Sequence, residues 1–322
     1  MSDALIYGFQ LTGTEAGTAL DWQRVQSNAL PADELCWLHF DYTHPDTATW
    51  LATQELNDIV VNTLLSEETR PRTSVFDDGV LLTLRGINLN PESDPEDMVS
   101  IRIWASEKRI VTARHRRMLS AQDMVHRIEQ GQSPQSAGEF VSVFAERLIA
   151  RMQTVITSME DKVEEIEEKA LEQNAKSLRS DIADLRRQAV ALRRYLKPQQ
   201  EAMQRLQQTA IAILNDEHRA QLRETTNHLT RYIEELEAIR DRAAITQEEL
   251  ASVVAEQLNN RMYVLSIVAA LFLPLGFFTG LLGINVGGLP GADNDSAFLL
   301  FCLIMVALVA AQIVIFRVKR WF

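Results

Sequence analysis

Apolar residues are distributed very unevenly along this chain. Residues 262–282, MYVLSIVAALFLPLGFFTGLL, contain no ionisable group except the hydroxyl of Tyr263. As a helix, these residues would span roughly 31 Å, about the thickness of a bilayer core. A second run, residues 297–316, has Gln312 as its one strongly polar side chain. Neither run shows the polar face that a long soluble helix carries. Both are therefore expected to cross a membrane. Arg261 precedes the first span, and Arg317, Lys319 and Arg320 follow the second, whereas residues 285–296 between them hold no Lys or Arg. The positive-inside rule then puts both chain ends in the cytoplasm and the loop outside.

Upstream, the pattern changes to a helical period. Between Gly138 and Gly276 there is no glycine, and the only prolines are Pro198 and Pro274. Such sparse punctuation predicts very long helices, with a turn near residues 174–177 and a break or kink at Pro198. Leu229, Tyr232, Leu236, Ile239, Ala243, Leu250, Val254 and Leu258 recur mostly at three- and four-residue steps. The slot between Ala243 and Leu250 falls to Thr246 or Gln247, with Ile245 off the seam. One continuous helix from about residue 216 to 282 is expected, roughly 100 Å long. Its stripe needs neighbouring helices, from its own chain or from copies of it.

The first 135 or so residues alternate differently. Strands are expected at 4–9, 36–40, 80–84, 99–104 and 109–113, and helices at 46–56 and 58–65, with Asp46 as an N-cap. The fold class is thus an α+β N-terminal domain, then long stalk helices, then two C-terminal transmembrane helices. The corresponding domains are 1–137, 138–261 and 262–322.

Charge narrows the function. The 322 residues carry −12 net, and because residues 262–322 sum to +1, the first 261 hold −13. A part that acidic does not suit nucleic acid, so none is expected as a partner. There is no GxSxG, phosphate loop or GxGxxG, and no enzyme activity, catalytic residue or permanently bound cofactor is expected. His39 and His44 flank Asp41, a spacing that admits a metal but occurs more often in ordinary surface or core residues. The block Glu160, Asp161, Glu164, Glu165, Glu167 and Glu168 could share a cation, but a solvated helix face with Lys162 and Lys169 as partners is the plainer expectation.

At the exit of the first span stands Gly283-Ile284-Asn285, followed by a glycine-rich turn. Asn285 can offer a neutral amide oxygen to a hydrated cation. This triplet, Pro274-Leu275-Gly276-Phe277-Phe278-Thr279-Gly280 before it, the arginine-rich Leu192-Arg193-Arg194-Tyr195-Leu196-Lys197-Pro198, and the segments Glu67-Glu68-Thr69-Arg70-Pro71-Arg72 and Asp97-Met98-Val99-Ser100 together resemble the CorA family of two-span metal transporters, specifically its zinc-transporting ZntB branch. The resemblance covers essentially the whole chain, with Ile284 where the commoner motif has methionine.

The resemblance implies a funnel-shaped homo-pentamer in the bacterial inner membrane, in contact with lipid and with divalent metal ions. Its pore would be lined by the first span, with Asn259, Met262, Ser266, Leu273, Phe277 and Gly280 facing the axis, Gly283, Ile284 and Asn285 forming the selectivity motif, and Asn285 contacting metal. The expected cargo is Zn2+, with other divalent cations admitted. The alternatives are a Mg2+/Co2+ channel of the CorA type and a membrane-anchored coiled-coil scaffold.

Overall fold

The computed structural model describes residues 4–67, 70–171, 175–284 and 295–319. The chain divides into two compact units, Met1–Glu248 and Glu249–Phe322.

The first unit opens with β1 (Leu5–Gln10), α1 (Trp22–Gln26), β2 (Cys36–Asp41), α2 (Pro45–Ala52) and α3 (Asp58–Leu64). Four strands follow: β3 (Arg72–Phe76), β4 (Gly79–Gly86), β5 (Val99–Ser106) and β6 (Arg109–Arg114). They form one six-stranded sheet of order β1-β2-β6-β5-β4-β3. Only β2 and β6 run parallel. Alternate residues along each strand face opposite sides. Leu38, Phe40, Leu81, Trp104 and Val111 pack with Trp50, Leu51, Val60 and Leu64 of α2 and α3. On the other side, Trp37 lies 5.1 Å from Phe140 between ring centroids.

The five expected strands are present: β2, β5 and β6 run one or two residues further, β4 is three residues longer, and β1 is shifted by one. The sixth, β3, was not expected, and neither were α1 and α4 (Leu119–Glu129). The N-cap of α2 is His44, whose Nδ1 accepts from the Asp46 N–H at 3.2 Å, so Asp46 lies in the first turn rather than capping it. Pro45 at the first helical position explains the shift, because its fixed φ suits that place and its missing N–H would go unbonded there anyway.

Next come α5 (Ala137–Ala150), α6 (Met152–Leu171) and α7 (Ala175–Gln208). The turn expected near 174–177 is replaced at 175–177 by the start of α7, and residues 172–174 lie outside the described residues. Pro198 does not break the chain either. It sits inside α7, buried, and the true break falls at residues 209–215. Burial against the sheet holds that part of α7: Gln199 Oε1 accepts the Arg85 N–H of β4 at 2.6 Å, and the Ala202 carbonyl accepts Thr73 Oγ1 of β3 at 2.6 Å. At the break, Arg219 donates to the carbonyls of Gln207 (2.6 Å) and Thr209 (2.7 Å). Asn215 Oδ1 accepts the His218 N–H at 2.8 Å, in the manner of an N-cap.

There α8 begins, and it runs unbroken over Asp216–Leu282, as the spacing of apolar residues predicted. Leu229, Tyr232, Leu236, Ile239, Ala243 and Leu250 are buried, Thr246 fills the polar slot, and Ile245 is 59% exposed. The neighbours that cover the seam within the first unit come from the same chain. Arg193 of α7 donates to Glu237 at 2.7 Å, Gln200 of α7 to Thr230 at 2.6 Å, and Arg242 of α8 to Glu167 of α6 at 2.5 Å. The second unit holds the rest of α8 and α9 (Ala297–Val318). Among the described residues, these are the two helices long and apolar enough to cross a membrane.

Candidate functional site

Two members of the acidic block on α6 have basic partners: Glu167 pairs with Arg242 and Glu165 with Lys169. Among the described residues, no cluster of three or more His, Cys, Asp or Glu side chains could hold a metal. His39 and His44 do not converge. His44 caps α2, whereas His39 is fully buried in β2. There His39 Nδ1 lies 2.7 Å from Thr112 Oγ1, and Nε2 accepts from Arg114 Nε at 3.0 Å. Because Nε2 accepts, the proton of the neutral ring sits on Nδ1 and is donated to Thr112. The same hydroxyl accepts Trp37 Nε1 at 2.8 Å. Burial, and secondarily the charge of Arg114, push the His39 pKa down to about 3. Such a histidine is a neutral strut of the β2–β6 junction.

Three segments that carry the family resemblance in the first unit converge near Arg85, a residue the sequence did not single out. Its guanidinium stands 4.1 Å over the ring of Tyr195, and its Nη1 donates to the Met98 carbonyl at 3.0 Å. Glu67, Asp97 and Ser100 line a pocket of about 380 Å³ with it. Close by, the buried Arg102 donates to the Glu67 carbonyl at 3.1 Å and lies 4.3 Å from the Tyr42 ring. These contacts join β4, β5, α7 and the segment before β3. The residues of one motif are scattered over the sequence because their partners are scattered too.

In the second unit, Asn259, Met262, Ser266, Leu273, Phe277 and Gly280 all lie on α8. At about 100° per residue they fall within an arc of about 60°. Every one of them is exposed: Met262 by 69%, Leu273 by 78% and Phe277 by 64%. The half-buried positions of the span, Ile267, Ala270, Leu271, Pro274 and Leu275, occupy a different face. That face meets α9, where Gln312 Nε2 donates to the Ala270 carbonyl at 3.4 Å. On α9 the partly or fully buried positions are Ala297, Phe301, Met305, Leu308, Val309, Gln312 and Phe316, again a single helical stripe. A Cβ added at Gly276 or Gly280 would meet nothing within 4 Å. The open stripe is therefore apolar and smooth, interrupted by the amide of Asn259 and the hydroxyl of Ser266, which donates to its own helix at the Met262 carbonyl, 2.8 Å away. No carboxylate, histidine or thiol stands on it. Gly283 and Ile284 follow the last turn of α8, with the Gly283 N–H on the Thr279 carbonyl at 2.9 Å. Asn285, the expected metal contact, lies outside the described residues.

The family model described as "CorA-like Mg2+ transporter protein" matches residues 32–320. The chain is 35% identical to the zinc transport protein ZntB of Yersinia enterocolitica over 322 residues, covering 100% of this chain and 97% of that protein. It is 37% identical to the divalent cation transporter CmaX of Pseudomonas aeruginosa, covering 98% of this chain and 96% of that one. The solved structure of full-length CmaX superposes with a TM-score of 0.85 at 35% identity, covering 100% of this chain and 99% of CmaX. A match of this length takes in the sheet, the long helices and both apolar helices together, and on that ground the chain belongs to the CorA family, in its ZntB branch.

Proposed function

We propose that the chain carries divalent cations, Zn2+ foremost, across the inner membrane through a homo-pentameric pore lined by α8. The observation that carries this reading is one arc of α8: six positions within the wider exposed face away from α9, with neutral oxygens in place of charges. A helix whose apolar stripe is exposed in one copy is suited to face equivalent helices around an axis. Neutral oxygens contact the water shell of an ion without holding it, whereas a static zinc site would use thiolates or imidazoles. Asn285 takes the mouth of the path by its place in Gly283-Ile284-Asn285. Residues 1–137 and 138–261 then stand in the cytoplasm, as do both chain ends. The names of the relatives support a divalent cargo, and ZntB supports zinc. Magnesium is the second reading, favoured by the description of the family model.

The test is flux into liposomes containing the purified protein, for Zn2+ and for Mg2+, beside Asn285→Ala, with oligomeric mass measured on the same sample. Zinc flux that the variant loses, in a pentamer, is the expected result. Magnesium flux alone would move the chain to the second reading. A folded oligomer passing neither ion would overturn both.

A further inference from the structure

Pro274 lies inside α8, in the middle of the first apolar span. It has no N–H, so the carbonyl four residues back, that of Ala270, loses the donor every ordinary helical carbonyl has. In hydrocarbon no water replaces it, and an unpaired carbonyl is costly there. Two hydroxyls of this span are spent elsewhere. Ser266 donates to the Met262 carbonyl at 2.8 Å, and Thr279 to those of Leu275 (3.0 Å) and Gly276 (3.1 Å). The donor that reaches Ala270 comes from the other helix: Gln312 Nε2, at 3.4 Å and 42 residues away. Within 297–316, Gln312 is the one strongly polar side chain. Its Oε1 is buried and has no hydrogen-bond partner among the described residues. A leucine there would remove the burden of an unpaired amide oxygen, so what the glutamine contributes at this position is its bond to Ala270.

Pro274 lies on the face toward α9, but at the level of the open stripe. Pro274 separates Leu273 from Phe277 and Gly280, so the backbone geometry at the missing hydrogen bond bears on how these positions stand relative to one another. We propose that Gln312 is a positioning residue that splints the gap Pro274 leaves in the hydrogen bonding of α8, and through it fixes the alignment of the stripe. The splint follows from the geometry alone. Its effect on transport rests on the pore reading above.

The experiment is a double-mutant cycle on the full chain in liposomes: the parent, Gln312→Leu, Pro274→Ala and the pair. Alanine at 274 restores the N–H to the Ala270 carbonyl, which makes the glutamine dispensable. Gln312→Leu alone should lower the maximal Zn2+ flux about fivefold, about 1 kcal/mol at 1.4 kcal/mol per tenfold, with the half-saturating zinc concentration unchanged. In the Pro274→Ala background the same substitution should change flux less than about twofold. Amide hydrogen exchange across residues 270–278 gives a readout independent of transport: faster in Gln312→Leu, restored in the pair. Equal effects of Gln312→Leu with and without Pro274, in flux and exchange, would overturn the splint. Exchange coupling without zinc flux in any of the four proteins would keep the splint and sink the transport reading. Should Gln312→Leu fail to assemble, Gln312→Asn, one methylene short of Ala270, serves as the milder variant with the same expected pattern.

Discussion

Lowering the pH from 7 to 5 asks the first unit to accept a proton on His39, and the fold has no room for that charge. The ring is fully buried, and its one free lone pair, on Nε2, already takes a hydrogen bond from Arg114 Nε. Protonation would set donor against donor beside a permanent positive charge. The folded-state pKa is accordingly about 3, against an ordinary value of 6.5. The folded value lies below the unfolded one, so between them the unfolded chain binds more protons. The stability contribution is whole above about pH 6.5 and is lost progressively as pH falls toward 3. Between pH 7 and 5 the loss is about 2 kcal/mol, at about 1.36 kcal/mol per unit. Urea unfolding of the full chain in detergent, followed by tryptophan fluorescence, measures it. Trp37 is a local reporter, since its ring lies 5.8 Å from His39. Between pH 7 and 5 the parent should lose about 2 kcal/mol more than His39→Gln, in which all other titrating groups are retained. Equal losses in the two proteins would refute the reasoning.

Thr112→Val strips the acceptor from Trp37 Nε1 and from His39 Nδ1 at once, and should cost about 2–4 kcal/mol by the same urea assay. A loss below about 0.5 kcal/mol would show that the hydroxyl is not the shared partner. Leu236→Ala, in the buried seam of α8, should cost about 2–5 kcal/mol, whereas Ile245→Ala, one face away and 59% exposed, should stay within about 0.5 kcal/mol. Similar losses for both would place the seam elsewhere. Gln199→Ala leaves the Arg85 N–H without its acceptor and should destabilise by about 1–3 kcal/mol, visible as faster exchange at that amide. Unchanged exchange there would refute the contact.

The long helices were legible because their signals are local. The absence of glycine over residues 139–275 and the apolar step of three and four pointed to one helix from about residue 216 to 282, and the slot offered to Thr246 or Gln247 is filled by Thr246. Pro198 misled for the complementary reason. Its local rule predicts a break, but burial against β3 and β4 outweighs it, and those contacts are more than 100 residues away in the chain. β3 was invisible because it is five residues long, begins with an exposed arginine, and gains its identity from pairing with β4. The role of His39 was equally hidden. Its spacing to His44 suggested a metal, while the partners that define it, Thr112 and Arg114, lie more than 70 residues on. The stripe of α8 was named through the family resemblance, and helical periodicity is consistent with it. The donor that bridges to Ala270 needed the second helix in place.

The parallel pairing of β2 with β6 imposes an order on synthesis. β1 and β2 can form a hairpin early, but their sheet cannot join the β3-to-β6 meander until residue 114 has been made, since β6 is the strand between them. Closing such long-range pairs is slow relative to hairpin formation. About 150 further residues are translated before the first apolar span begins at 262, on the order of 10 to 30 s at about 5–20 residues per second. The sheet thus has time to close on the ribosome before the first hydrophobic segment is offered to the insertion machinery. A substitution that merely delays β2–β6 docking would therefore do its harm in that interval, by leaving two strand edges unpaired as the nascent chain reaches the membrane, even where the finished protein is as stable as before.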